Sequence, residues 1–204
     1  GSLPRSKELS EFLFAKDKGE KFSQSSFDEV LKNNVESVVK KQLDVGIDFV
    51  SDGEMSKISY ATYIKDRIDG FSGESERRAP ADLDDFPEYK EKIAKSGGTP
   101  TYIRPCCTNE LKVKDETSLL RDINNFKNSL DKLNHRHSFM NSASPGVINV
   151  FMPNKFYSSE DEYLDKLSSI MAKEYEVITK SNIQVQLDCP DLALARHMNF
   201  KNLS

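Results

Sequence analysis

Gly46-Ile47-Asp48-Phe49-Val50-Ser51-Asp52-Gly53-Glu54 is the stretch whose reading decides the fold. Its apolar run is too short for a helix and stops at a glycine flanked by two acids, the pattern of a strand running out into a tight turn. Directly upstream, residues 27–43 place Phe27, Val30, Leu31, Val35, Val38, Val39, Gln42 and Leu43 at helical spacing. Asp28, Lys32, Glu36, Lys40 and Lys41 fill the opposite face. Ser26 followed by Glu29 reads as a capping box, and Gly46 as the stop.

The same unit recurs. Residues 116–133, after a cap at Asp115, carry Leu119, Leu120, Ile123, Phe126, Leu130 and Leu133 on one helical face. A polar loop follows, then Phe139-Met140, a Ser144-Pro145-Gly146 turn and Val147-Ile148-Asn149-Val150-Phe151. Residues 160–180 form a third amphipathic helix opened by Ser159 and Glu162. It leads to the strand Ile183-Gln184-Val185-Gln186-Leu187, which ends in Asp188-Cys189-Pro190. A helix leading to an apolar strand and then a turn, three times over, predicts an α/β chain with a parallel sheet under helical cover. Residues 70–99, with Arg77-Arg78, Pro80, Pro87 and Gly97-Gly98, break this rhythm. They read as an insertion or lid-like loop in a single domain over 1–204, followed by short strands at Thr101-Tyr102-Ile103-Arg104 and Leu111-Lys112-Val113.

Composition narrows the function. Twenty-nine Lys+Arg against 33 Asp+Glu leave a net charge of −4 with both signs interspersed, so no basic stripe offers itself to nucleic acid. No apolar run approaches the roughly 20 residues that cross a bilayer. No secretory leader is read ahead of Leu3-Pro4-Arg5, and a cytoplasmic protein without a membrane partner is expected. Cys106, Cys107 and Cys189 form no CxxC pair and read as reduced thiols.

In a parallel α/β sheet the chemistry gathers where strands deliver their C-terminal ends. Asp52 and Glu54 end one strand and Asp188 another. A carboxylate there can hold a substrate ammonium or move a proton, or it can cap the next helix. His135-Arg136-His137 would put two rings on one strand face, but it lies in a polar stretch without partner ligands and reads as an exposed loop. Cys189 is expected to point away from the strand face that carries Asp188. His197 reads as a surface residue, and the aromatic residues around Phe12, Phe151 and Tyr157 as packing.

Four segments in order carry a resemblance: Gly1-Ser2-Leu3-Pro4-Arg5, Gln42 through Glu54, Ser144-Pro145-Gly146-Val147, and Gln186-Leu187-Asp188-Cys189-Pro190-Asp191-Leu192-Ala193. Together they resemble the signatures of the cobalamin-independent methionine synthase superfamily, in particular its short single-barrel members. The resemblance implies a (β/α)8 TIM barrel of which this chain holds a partial, N-terminal portion. It implies a methyltransferase that moves a methyl group to the zinc-activated thiol of homocysteine. Gly1 and Ser2 would contact the amino acid's carboxylate, Glu54 its ammonium, and Asp188 would orient the substrates or assist proton transfer. The zinc ligands of that family are expected beyond residue 204, so no metal ligand is assigned here. Arg104-Pro105-Cys106-Cys107 departs from the family's gentler Gly-Pro pattern. The expected partners are a small-molecule thiol and a methyl donor. The open edges of a partial barrel call for a homo-oligomer or a C-terminal half. The alternatives are a related thiol alkyltransferase, such as one opening an epoxide with coenzyme M, or a non-catalytic fragment.

Overall fold

A computed structural model describes residues 2–75, 81–95, 103–114, 116–133, 137–198 and 200. In chain order its elements are α1 (Lys7–Asp17), α2 (Gln24–Asp44), β1 (Phe49–Ser51), β2 (Ile68–Ser72), α3 (Pro87–Lys95), β3 (Cys106–Val113) and α4 (Thr117–Leu130). They continue as β4 (His137–Ala143), α5 (Pro145–Phe151), α6 (Glu160–Lys180), β5 (Gln184–Asp188) and α7 (Asp191–Met198). Short 3-10 turns lie at Thr62–Asp66 and Ala81–Asp85.

β1, β4 and β5 form a parallel sheet in the order β1-β4-β5. Its register sets Phe49 beside His137, Asn141 beside Gln186, and Ala143 beside Asp188. Among the described residues this is a partial, unclosed sheet that resembles an incomplete N-terminal half of a TIM barrel. One core packs α2 and α4 onto it, with Leu31, Val35, Val39, Ile123 and Phe126 meeting Val50 and Met140. A second core, with Ile64, Ala143, Val147, Ile148, Tyr163 and Leu167, joins the start of β2 to α5 and α6. No helix among the described residues is long and apolar enough to cross a membrane.

Several expectations change. α2 begins three residues earlier than its apolar pattern: Ser23, in extended backbone, accepts from the Ser26 N–H, which places the expected Ser26 cap inside the first turn. α6 has the expected bounds, with Ser159 accepting from Glu162 N–H. The Glu162 carboxylate reaches past Ser159 to the Ser158 N–H and hydroxyl. Val147 through Phe151 is helix, because Ser144 caps it and Pro145 opens its first turn. The strand read at Phe139-Met140, ahead of the turn, is β4, whose full length was masked by the polar Ser138, Asn141 and Ser142. His137 therefore begins a strand, stacked on Phe49 with ring centroids 4.4 Å apart, while His135 and Arg136 lie outside the described residues.

The excursion also has more order than a loop. β2 pairs antiparallel with β3, from Ile68 beside Val113 to Ser72 beside Cys106. A register shift falls between Asp69 and Phe71, at Gly70. Gly70 has φ +106°, and a Cβ there would meet the Asn109 and Glu110 carbonyls at 2.8 and 2.9 Å. The short strand expected at Leu111–Val113 is thus the end of a longer one. Ile103 and Arg104 have no regular structure, and Thr101 and Tyr102 lie outside the described residues.

Candidate functional site

β1 ends in a turn fixed from three sides. The Gln42 side chain accepts from Ser51 N–H at 3.0 Å and donates to its carbonyl at 2.8 Å, standing in for a neighbouring strand. Ser51 Oγ accepts from Gly53 N–H at 3.2 Å, and Asp52 Oδ1 accepts from Glu54 N–H at 3.1 Å. Gly53 and Glu54 both take left-handed backbone, at φ +64° and +56°. A Cβ on Gly53 would lie 2.9 Å from Met55 Cε and 3.2 Å from Leu3 Cβ, so the glycine is required for close approach as well as for conformation. For Glu54 that backbone costs about 1 kcal/mol, a cost that surrounding contacts must offset.

Those contacts come from residues 2–5. Leu3 N–H donates to Gly53 O at 3.1 Å. Arg5 Nη2 donates to the carbonyls of Glu54 and Lys57 at 2.8 and 2.7 Å. Ser2 Oγ donates to Glu54 Oε2 at 2.6 Å.

Asp188 approaches from the other strand end. Asn141 Nδ2 lies 3.1 Å from each of its carboxylate oxygens, and Ser144 N–H donates to its carbonyl at 3.1 Å. Ser2, Glu54 and Asp188, far apart in sequence, line one open cleft of about 380 Å³ together with Tyr60, Asn141, Gln186, Leu187, Cys189 and Pro190. Gly1 lies outside the described residues. Helix capping does not account for the two acids: Ser2 engages Glu54, Asn141 engages Asp188, and the acid that opens α7 is Asp191.

Cys189 is half-buried and lines the cleft, contrary to expectation, because β5 ends at Asp188 and strand alternation no longer governs the next residue. Tyr60 and Asn141 went unrecognised in the sequence. The available signal for Asn141 was its place three residues before the Ser144-Pro145-Gly146 turn.

Beneath the cleft lie further buried charges. Burial raises the Asp52 pKa, and nearby Lys57 partly opposes this. Lys57 is 3% exposed, lies 4.3 Å above the Tyr63 ring and donates to the Asn141 carbonyl. Behind β4, Arg67 pairs with Asp122 at 2.6 Å and Glu174 at 2.8 Å. Tyr63 OH and Ser142 Oγ donate to Glu174 at 2.6 and 2.7 Å, and Ser56 Oγ donates to Asp122 at 2.7 Å. Burial pushes the Glu174 pKa up, but Arg67, Lys57 and these hydroxyls outweigh it and hold the carboxyl below its ordinary value. Tyr63 is raised well above the ordinary phenol range by burial and by Glu174.

Among the described residues, no group of three or more His, Cys, Asp and Glu side chains could hold a metal ion. No donor set among the described residues fits the zinc implied by the sequence resemblance.

No family model matches the chain. Over 191 residues it is 25% identical to the methionine synthase of Sulfolobus acidocaldarius, covering 93% of this chain and 50% of that protein. A B12-independent methionine synthase from Shewanella sp. W3-18-1, solved in complex with selenomethionine, shares the fold with a TM-score of 0.64 at 15% identity. That match covers 84% of this chain and 45% of the other. A putative vitamin-B12-independent methionine synthase from Listeria monocytogenes gives 0.61 at 14% identity, covering 92% and 49%. The chain spans about half the length of the relatives it matches.

Proposed function

We propose that this chain, homologous in sequence and fold to the cobalamin-independent methionine synthase superfamily, holds the amino-acid substrate during methyl transfer to the thiol of homocysteine. The general kinship with methionine-synthase-like methyltransferases stands on the comparisons. The substrate and the role of each residue are our reading. One observation carries it: Glu54 and Asp188 line one cleft with no Lys or Arg among its described lining residues.

Two carboxylates lining one open cleft suit a ligand ammonium, which donates three hydrogen bonds. Glu54 would take it through the oxygen that Ser2 leaves open, and Asp188 from across the cleft. Gln186 offers an amide donor to the ligand's carboxylate. Ser2 Oγ is engaged by Glu54, so a contact with that carboxylate requires the hydroxyl to turn. Tyr60, Leu187, Cys189 and Pro190 give the cleft an apolar side for a thioether. The selenomethionine in the Shewanella relative is an amino acid of this class. In this reading Asp188 orients the reacting amino acid or takes part in proton transfer. Activation of the thiol by zinc is not assigned to side chains of this chain.

The same charge pattern disfavours coenzyme M, whose sulfonate would meet two carboxylates and whose lack of an ammonium would leave them unpaired. Calorimetric titration of the full chain with L-homocysteine, L-methionine and coenzyme M tests this. The amino acids are expected to bind in preference to the sulfonate. Equal or tighter binding of coenzyme M would overturn the assignment.

A further inference from the structure

Asn141 occupies a junction. Its backbone carbonyl, on β4, accepts from the buried Lys57 ammonium, while its side-chain amide donates to both oxygens of Asp188 on β5. Lys57 belongs to the turn that also carries Glu54, so a single residue ties the two acid-bearing strand ends together.

A buried ammonium is a costly way to satisfy one carbonyl, because its charge must also be balanced. Here Asp52 and Glu174 face it electrostatically, and the Tyr63 ring lies 4.3 Å beneath it. Tyr63 is itself fixed by its 2.6 Å bond to Glu174. Lys57 thus lies among opposite charges and against an aromatic face, and its ammonium donates to the Asn141 carbonyl. On β4 the main chain alternates, so holding that carbonyl also sets the side chain that reaches Asp188.

We propose that Lys57 and Asn141 are positioning residues: Lys57 fixes the β4 backbone at Asn141, and Asn141 in turn fixes the orientation of the Asp188 carboxylate toward the cleft. The arrangement of the three groups stands independently of the ligand. Its consequence for binding rests on the amino-acid reading above.

Two measurements on the full chain separate these. The first needs no ligand: the side-chain amide resonances of Asn141, assigned by their loss in Asn141→Ala, are followed by NMR with their hydrogen-exchange rates. Lys57→Met is expected to move them and to speed exchange about tenfold. Lys57→Arg keeps the charge that balances Asp52 and Glu174 but displaces the donor. It is expected to change the resonances in the same sense by a smaller amount, and it keeps the test readable if Lys57→Met does not fold. Asn141 resonances and exchange unchanged in a folded Lys57 variant would overturn the relay.

The second measurement is calorimetry with L-methionine and with 3-(methylthio)propionate, its analogue without the ammonium. Asn141→Ala and Lys57→Arg should weaken L-methionine binding, by roughly tenfold for Asn141→Ala, and leave the analogue within about twofold. Equal weakening of both ligands would overturn the positioning role. A parent chain that binds no L-methionine, with Asn141 resonances that still respond to Lys57, would sink the amino-acid reading and leave the relay standing.

Discussion

Adjacent residues of β4 open onto two different kinds of charge. Ser142 points into the cluster of Arg67, Asp122, Glu174 and Tyr63, where short hydrogen bonds and ion pairs link buried groups to one another. Asn141 reaches Asp188 at the cleft, where Glu54 and Asp188 each bond a neutral side chain and line the same space. Both regions hold carboxylates and both were built at energetic cost. In the first, one cation pairs directly with both anions inside the fold. In the second, two anions line one cleft with no Lys or Arg among its described lining residues, and Arg5 approaches Glu54 from the backbone side. The first pattern fixes an architecture, and the second is the one we propose receives the ligand ammonium.

The largest expected effect lies on the closed side. Arg67→Met leaves Asp122 and Glu174 buried without their cation, which should cost about 3–5 kcal/mol of stability. Urea denaturation would show it, and a cost below about 1 kcal/mol would mean that water reaches this cluster as freely as it does the cleft. The same cluster predicts a pH dependence. The Glu174 carboxyl is held below its ordinary value of 4.5, so its stabilising contribution is complete above that value. It is lost as the pH falls through the lower folded-state value, because there the folded protein must take up a proton it had resisted. Stability followed by urea midpoint should fall with acid in that range, and Glu174→Gln should flatten the dependence.

On the open side the effect should appear in binding and not in folding. Glu54→Gln removes a charge-assisted bond to the ligand ammonium, worth about 1.5–3 kcal/mol. L-homocysteine should bind roughly 10- to 150-fold more weakly. The amide can still accept from Ser2, so the urea midpoint should move little. Undiminished affinity in the variant would place Glu54 with the architectural charges.

The sequence was most informative where function and local geometry coincide. Asp52-Gly53-Glu54 announces a turn with acids on it, and α6 was legible to its ends because Ser159 and a continuous apolar face marked it. β4 was obscured because its neighbours impose polar residues on both faces: Asn141 toward Asp188, and Ser142 toward Glu174. The β2–β3 pairing was hidden because its partners lie some forty residues apart along the chain. Lys57 could not be read at all. It acts through a backbone carbonyl 84 positions away, and no side-chain pattern encodes that contact.

The smallest effect sharpens the contrast most. Ser2 is exposed, yet its hydroxyl lies 2.6 Å from Glu54, whose side chain is buried. If that bond served the fold as the bonds to Glu174 do, Ser2→Ala would leave a buried acceptor unsatisfied and cost about 1–3 kcal/mol of stability. Because Glu54 opens onto the cleft, water can replace the hydroxyl, and the expected loss of stability is below about 0.5 kcal/mol. Binding should still suffer. Ser2 fixes one carboxylate oxygen of Glu54 so that the other faces the ligand, and freeing it should weaken L-homocysteine binding by about two- to tenfold, the equivalent of one ordinary hydrogen bond. Paired calorimetry and urea denaturation of Ser2→Ala would decide between the two. A stability loss without a binding loss would move the boundary between architecture and site to include Glu54 on the structural side, leaving Asp188 as the acid through which the cleft recognises a cation.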